Sequence, residues 1–122
     1  MKKKQVFKTV AIHLLKQNEV STGWDNNQCM YRSDEGISCA IGTLIDDDKY
    51  YEDLEGKAAD AVEVIQVIEK SLDTKLTKSD RDLLCKLQNI HDYASVESWY
   101  EELEYLAMLT FAKTLEDLGV KA

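Results

Sequence analysis

Cys29-Met30-Tyr31-Arg32-Ser33-Asp34-Glu35-Gly36-Ile37-Ser38-Cys39-Ala40-Ile41-Gly42-Thr43-Leu44-Ile45 is where the helical pattern of this chain breaks, and its reading decides the fold. Residues 28–32 and 37–40 bracket the polar turn Ser33-Asp34-Glu35-Gly36, which predicts a small β-hairpin with a four-residue turn. An isolated hairpin is marginal in water, so it must lie against helices. Ser38 is placed to cap a short helix through Ile45. Asp46-Asp47-Asp48 stops that helix and opens a turn through Tyr50 and Tyr51, and Leu54-Glu55-Gly56 reads as an exit loop.

On either side of this segment the apolar residues keep helical period. Val6, Phe7, Val10, Ala11, Leu14 and Leu15 line one face of a helix over about residues 3–18, with His13 at the edge as a hydrogen-bonded core histidine. Ala58, Ala61, Val62, Ile65, Ile68 and Leu72 predict a second helix over residues 57–72. Thr77 and Asp80 form a capping-box pattern ahead of Leu83, Leu84, Leu87, Ile90 and His91. Ser95 is placed to cap a long last helix ending at Gly119, with Trp99 packed against the bundle near its start. The expected fold is therefore mostly α: one domain over residues 1–122, a compact bundle of four main helices with the hairpin inserted near residues 28–40.

Composition narrows the function. The 122 residues are 44% hydrophobic with no proline, enough for one real core. No stretch approaches the roughly 20 apolar residues of a membrane span. Lys and Arg number 15 against 23 Asp and Glu, a net charge of −8, which disfavours direct binding to nucleic acid phosphates. Three cysteines without framework spacing suit a reducing cytoplasm. The basic N-terminus runs into an amphipathic pattern and not into a secretion signal.

The motifs Cys29-x-Tyr31-Arg32, Cys39-Ala40-Ile41-Gly42-x-Leu44-Ile45, Asp47 with Tyr50, Leu54-Glu55-Gly56, Leu87-Gln88-x-Ile90-His91-Asp92 and Trp99 together resemble a group of small bacteriophage- and prophage-encoded proteins that carry no assigned activity. The resemblance spans roughly residues 6–107 and departs at Asp46, where the group's pattern has proline. It implies a phage or prophage origin and a bacterial cytoplasmic setting. Small phage accessory proteins often bind and block host factors, and the resemblance implies such a role by analogy.

Three chemistries compete for the motif residues. Tyr31, Arg32, Tyr50 and His91 are the candidate ligand-binding set. Arg32 offers a planar fork for a carboxylate or phosphate, and Tyr31, Tyr50, Tyr51 and Trp24 offer rings for stacking. The bland alternative pairs Arg32 with a nearby carboxylate and uses the tyrosines as plugs. Cys29, Cys39 and His91, with Asp92 or water, make a second candidate, a zinc site, although Cys-x9-Cys lacks the tight spacing of structural zinc sites. A Cys–His nucleophile is the third. It needs Asp92 to orient His91, and neighbours on a helix point about 100° apart. No catalytic residue, metal ligand or cofactor is assigned on this basis.

The expected function is a non-enzymatic phage or prophage accessory protein that binds and blocks a host macromolecule, such as a defence or regulatory factor. The alternatives are a binder of a nucleotide-like or other anionic small molecule, and a zinc-binding or Cys-dependent protein. The acidic groups of residues 46–55, 97–104 and 116–117, gathered on one side, would fit a basic cleft. Tyr105 to Ala112 is apolar almost all round, serving as a central core helix or the seat of a homodimer through the last helix.

Overall fold

The computed structural model describes residues 1–23, 29–33 and 35–121. Four α-helices run in chain order: α1 Lys3–Gln17, α2 Val62–Leu72, α3 Lys78–Tyr93 and α4 Trp99–Phe111. Single turns of 3-10 helix lie at Gly42–Leu44, Glu52–Leu54 and Val96–Ser98. None of the described helices is long and apolar enough to cross a membrane.

Helix α1 buries Val6, Phe7, Val10, Ala11 and Leu14, the expected stripe, and stops at Asn18, whose φ of 54° is left-handed. Asparagine tolerates that conformation better than most residues. Helix α3 starts at a complete capping box. The Asp80 amide donates to Thr77 Oγ1 (3.1 Å) and the Thr77 amide to Asp80 Oδ2 (3.0 Å). Asp80 is itself buried, and Lys3 Nζ meets its other oxygen at 2.8 Å. The first turn of α1 holds no acid of its own, so Asp80 fastens that end of α1 to the start of α3.

Helices α1, α3 and α4 pack on one another, while α2 lies against the turn at Gly42–Leu44. Trp99 is fully buried at the start of α4, and its indole Nε1 donates to Ala94 O at 3.3 Å. Removing that ring would cost about 3–5 kcal/mol.

Three expectations need correction. The β-hairpin does not form. Among the described residues there is no strand, only isolated antiparallel bridges at Thr22–Cys29 and Arg32–Ser38. Side chains replace the missing ladder: the Gln17 amide accepts from Ser38 N (3.1 Å) and donates to Ser38 O (2.9 Å), as a neighbouring strand would.

Helix α2 starts at Val62, not residue 57, and it buries Val64, Val67 and Ile68 while Val62 stays 66% exposed. Gly56 at φ 82° and the turns after it use up the first expected turn of the helix, which moves the buried face.

Helix α4 stops at Phe111, where Ala112 turns left-handed at φ 54°. Ser95 does not cap it, since its hydroxyl pairs with Ser98 Oγ at 2.9 Å. Thr114 and Asp117 then exchange hydrogen bonds and start a separate turn. That turn closes at Gly119, φ 80°, and returns buried Leu115 and Val120 to the core.

Candidate functional site

The polar residues that carry the sequence motifs converge in two clusters, both holding the segment between α1 and α2. The first is built on α3. Its Gln88 accepts the Ile41 amide on Oε1 (3.0 Å) and donates Nε2 to Asp92 Oδ1 (2.8 Å). His91 Nδ1 also meets Asp92 Oδ1 at 2.8 Å, and the buried Ser21 amide donates to His91 Nε2 at 2.9 Å. A backbone N–H can only donate, so Nε2 carries the lone pair and the neutral ring holds its proton on Nδ1. The Trp99 ring covers the imidazole, centroids 5.6 Å apart.

Asp92 therefore does orient His91, against the expectation from helical geometry. Gln88, one turn back, holds the Asp92 carboxylate against the Nδ1 edge of the ring. This cluster fixes two loops at once, residues near Ser21 through His91 and residues near Ile41 through Gln88.

Cys29 joins the same cluster: Cys29, His91 and Asp92 each bring a ligand atom within 4.8 Å of the others. Cys39 does not join them and lies buried, its Sγ accepting from Gly42 N at 3.3 Å. The donor chemistry fits a metal poorly. A metal on Nδ1 would push the proton to Nε2, directly against the Ser21 N–H. In a tetrahedral site two N/O ligand atoms also sit about 3.3 Å apart, wider than the 2.8 Å here.

The thiols are equally unsuited to nucleophilic work. Burial, then the charge and hydrogen bond of Asp92, push Cys29 up to about 11. Burial pushes Cys39 up to about 12 despite the hydrogen bond from Gly42. Both stay protonated near neutrality, whereas a reactive cysteine needs its thiolate.

The second cluster is centred on Glu55. Its Oε1 accepts the Tyr31 amide (2.8 Å), and Oε2 accepts the Arg32 amide (3.0 Å) and the Tyr50 hydroxyl. The Arg32 guanidinium stacks over the Tyr50 ring at 4.9 Å, binds Asp47 Oδ1 at 2.7 Å and donates to Ile45 O. Tyr31 is buried, with its hydroxyl on Lys57 O. Burial, with the charge of Glu55 among its neighbours, raises the Tyr31 phenol; Tyr50 is raised by burial and then by its bond to Glu55.

Gly42 completes the packing. A Cβ there would stand 1.9 Å from Tyr31 O, so only glycine permits this approach.

Of the four candidate ligand-binding residues, Tyr31, Arg32 and Tyr50 come together around Glu55, and His91 belongs to the other cluster. Arg32 lines a cleft of about 340 Å³ with Ser33, Thr43 and Asp47. Asp92 lines a separate one of about 280 Å³ with Cys29, Tyr31, Ala58 and Gln88. His91 accepts the Ser21 amide and lies beside Cys29 of the segment 28–40, away from Arg32. Trp24 lies outside the described residues. Tyr51 is exposed, and His13 meets Ser38 O at 3.0 Å, the hydrogen-bonded role expected of it.

Sequence reasoning missed Glu55, Gln88, Gln17 and Ser21 as the residues that hold this segment. Gln88 left one signal, a polar residue on the buried stripe of α3. Gln17 and Ser21 left none. No protein-family model matches the chain, and no curated protein or solved structure matches it.

Proposed function

We propose that this chain is a non-enzymatic accessory protein of phage or prophage origin that binds a basic surface of a bacterial host macromolecule and blocks it. The observation that carries this reading is the commitment of the chemistry-bearing side chains to internal contacts. Cys29, Cys39, Arg32 and His91 each have a partner that holds the fold, and burial pushes both thiols well above the ordinary thiol range. What is left for recognition is the surface, which is acidic.

Asp46, Asp47, Asp48, Glu52 and Asp53 are all exposed between the turn at Gly42–Leu44 and Leu54. Lys49 and Arg32 offset part of that charge. The remainder adds to a net −8 for the chain, a field that attracts basic surfaces and speeds encounter with them.

The test is capture from a bacterial host lysate by the wild type and by a variant carrying Asp46→Asn, Asp48→Asn, Glu52→Gln and Asp53→Asn. Asp47 is spared because it holds Arg32. The reading expects one basic host component, retained by the wild type, released by salt and lost from the variant, and then bound directly when purified. Equal capture by the two proteins would overturn it.

A further inference from the structure

Helix α4 is apolar on two sides. Its inner face buries Trp99, Leu103, Leu106 and Ala107. Its outer face leaves Tyr105 64%, Met108 51% and Leu109 66% exposed. At about 100° per residue, Glu101, Tyr105, Met108, Leu109 and Ala112 fall within about 100° of arc, one continuous stripe. Single exposed apolar residues are ordinary, but three adjacent ones on a helix form a patch that asks for a cover.

The charges on this stripe say what the cover is. From Tyr105 to Ala112 there is no Asp, Glu, Lys, Arg or His, in a chain that is 31% charged. The carboxylates of the face, Glu101 and Glu102, sit in the first turn, and Lys113 follows directly on the left-handed Ala112 at the other end. A basic partner would find anchors at one end only. A second α4 laid antiparallel, with the twofold axis level with Ala107, sets Tyr105 beside Leu109 of the other copy. The same register brings Glu101 level with the far end of the partner helix, where the exposed Lys113 follows the left-handed Ala112, and each pairing occurs twice because a twofold interface is self-complementary. Antiparallel helices also oppose their dipoles favourably.

The geometry points to a second copy of this chain as the occupant of the outer α4 face, packed antiparallel about an axis level with Ala107. The patch is small, so the dimer is weak and belongs at high protein concentration. Each copy carries −8, so screening by salt strengthens the pairing. Salt releases the basic host component of the proposed function, so the two ideas fail separately.

Sedimentation equilibrium on the full chain, at high salt and up to millimolar concentration, should show a monomer–dimer equilibrium. Leu109→Glu, at an exposed position, should keep the helical circular dichroism and weaken dimerisation by more than about tenfold. Glu101→Lys and Lys113→Glu should each weaken it at low salt, and the double variant should recover affinity because the opposed pairs are restored with signs exchanged. A wild type that stays monomeric at millimolar concentration overturns the proposal. So does a double variant no tighter than either single one.

Discussion

The Ser21 amide donates to His91 Nε2 across 70 residues of sequence, and that contact fixes which imidazole nitrogen is bare. Nitrogen-detected NMR at mildly alkaline pH, where imidazole is neutral, should find the His91 proton on Nδ1, the minority form in free histidine. His91→Ala should cost about 2–4 kcal/mol in a denaturant titration, through a cavity beneath Trp99 and a buried amide left unpaired. Amide exchange at Ser21 should quicken in the same variant. A proton found on Nε2 would contradict the whole arrangement around Asp92.

Glu55 holds two backbone amides and a phenol. Glu55→Gln keeps the shape but turns one acceptor into a donor facing a donor. We expect a loss of about 1–3 kcal/mol with the helices intact, measured by chemical denaturation. Tyr50→Phe removes only one of the three bonds and should cost less.

Gly42→Ala drives a methyl into Tyr31 O and needs the segment around Tyr31 to move. The expected destabilisation exceeds about 2 kcal/mol, through overpacking that a well-filled core cannot absorb. Gly36→Ala serves as the control. Nothing stands within 4 Å of its Cβ, so only the left-handed φ of 83° opposes the change.

Acid should weaken the tie between α1 and α3. Burial works to raise the Asp80 carboxyl, but hydrogen bonds from Lys3 and Thr77, with the charge of Lys3, outweigh it and hold the group down to about 2. Its ordinary value is near 3.9, so the fold favours the ionised form. The stabilisation is complete above that ordinary value and disappears as pH falls through about 2. It amounts to about 1–2 kcal/mol once the partial exposure of Lys3 is allowed for. Urea titrations from neutral pH down to the acid limit should show that difference between wild type and Asp80→Asn shrinking. A constant gap would mean that Asp80 acts without its charge.

The helices were legible because their signals are local. The stripe of α1 and the capping box of α3 depend on residues three or four apart, and both appear as read. Helix α2 was misjudged by a turn because a stripe of apolar residues does not reveal which side of the helix a distant segment will cover. The hairpin failed for a related reason. Ser33 to Gly36 does turn the chain, with the Ser33 amide on Ile37 O at 2.9 Å. Whether a turn grows into strands depends on competing partners, and Gln17 and Glu55 reach the backbone groups that a ladder would have used. The site motifs were visible as motifs, but sequence could not say that His91 faces Ser21 or that Arg32 is held by Asp47 and Ile45. Both facts follow from contacts between segments far apart in the chain.

The stitching of the α1–α2 segment also bears on the order of assembly. Its fasteners on α3 join residues 70 and 47 apart, Ser21 to His91 and Ile41 to Gln88, so they close large loops. Such closures carry an entropic cost that is recovered only after their target exists. The target is a finished α3, with Gln88, His91 and Asp92 presented together. Packing α1 on α3 through Lys3 and Asp80 closes a larger loop still, and once that contact exists the remaining spans to Ser21 and Ile41 are short; the two amides are then expected to open to hydrogen exchange before the packed helices do. The stretch around Tyr31 and Ile41 is thus a cover laid on finished helices, held there by side chains of Glu55 and Gln88 instead of by a ladder of its own.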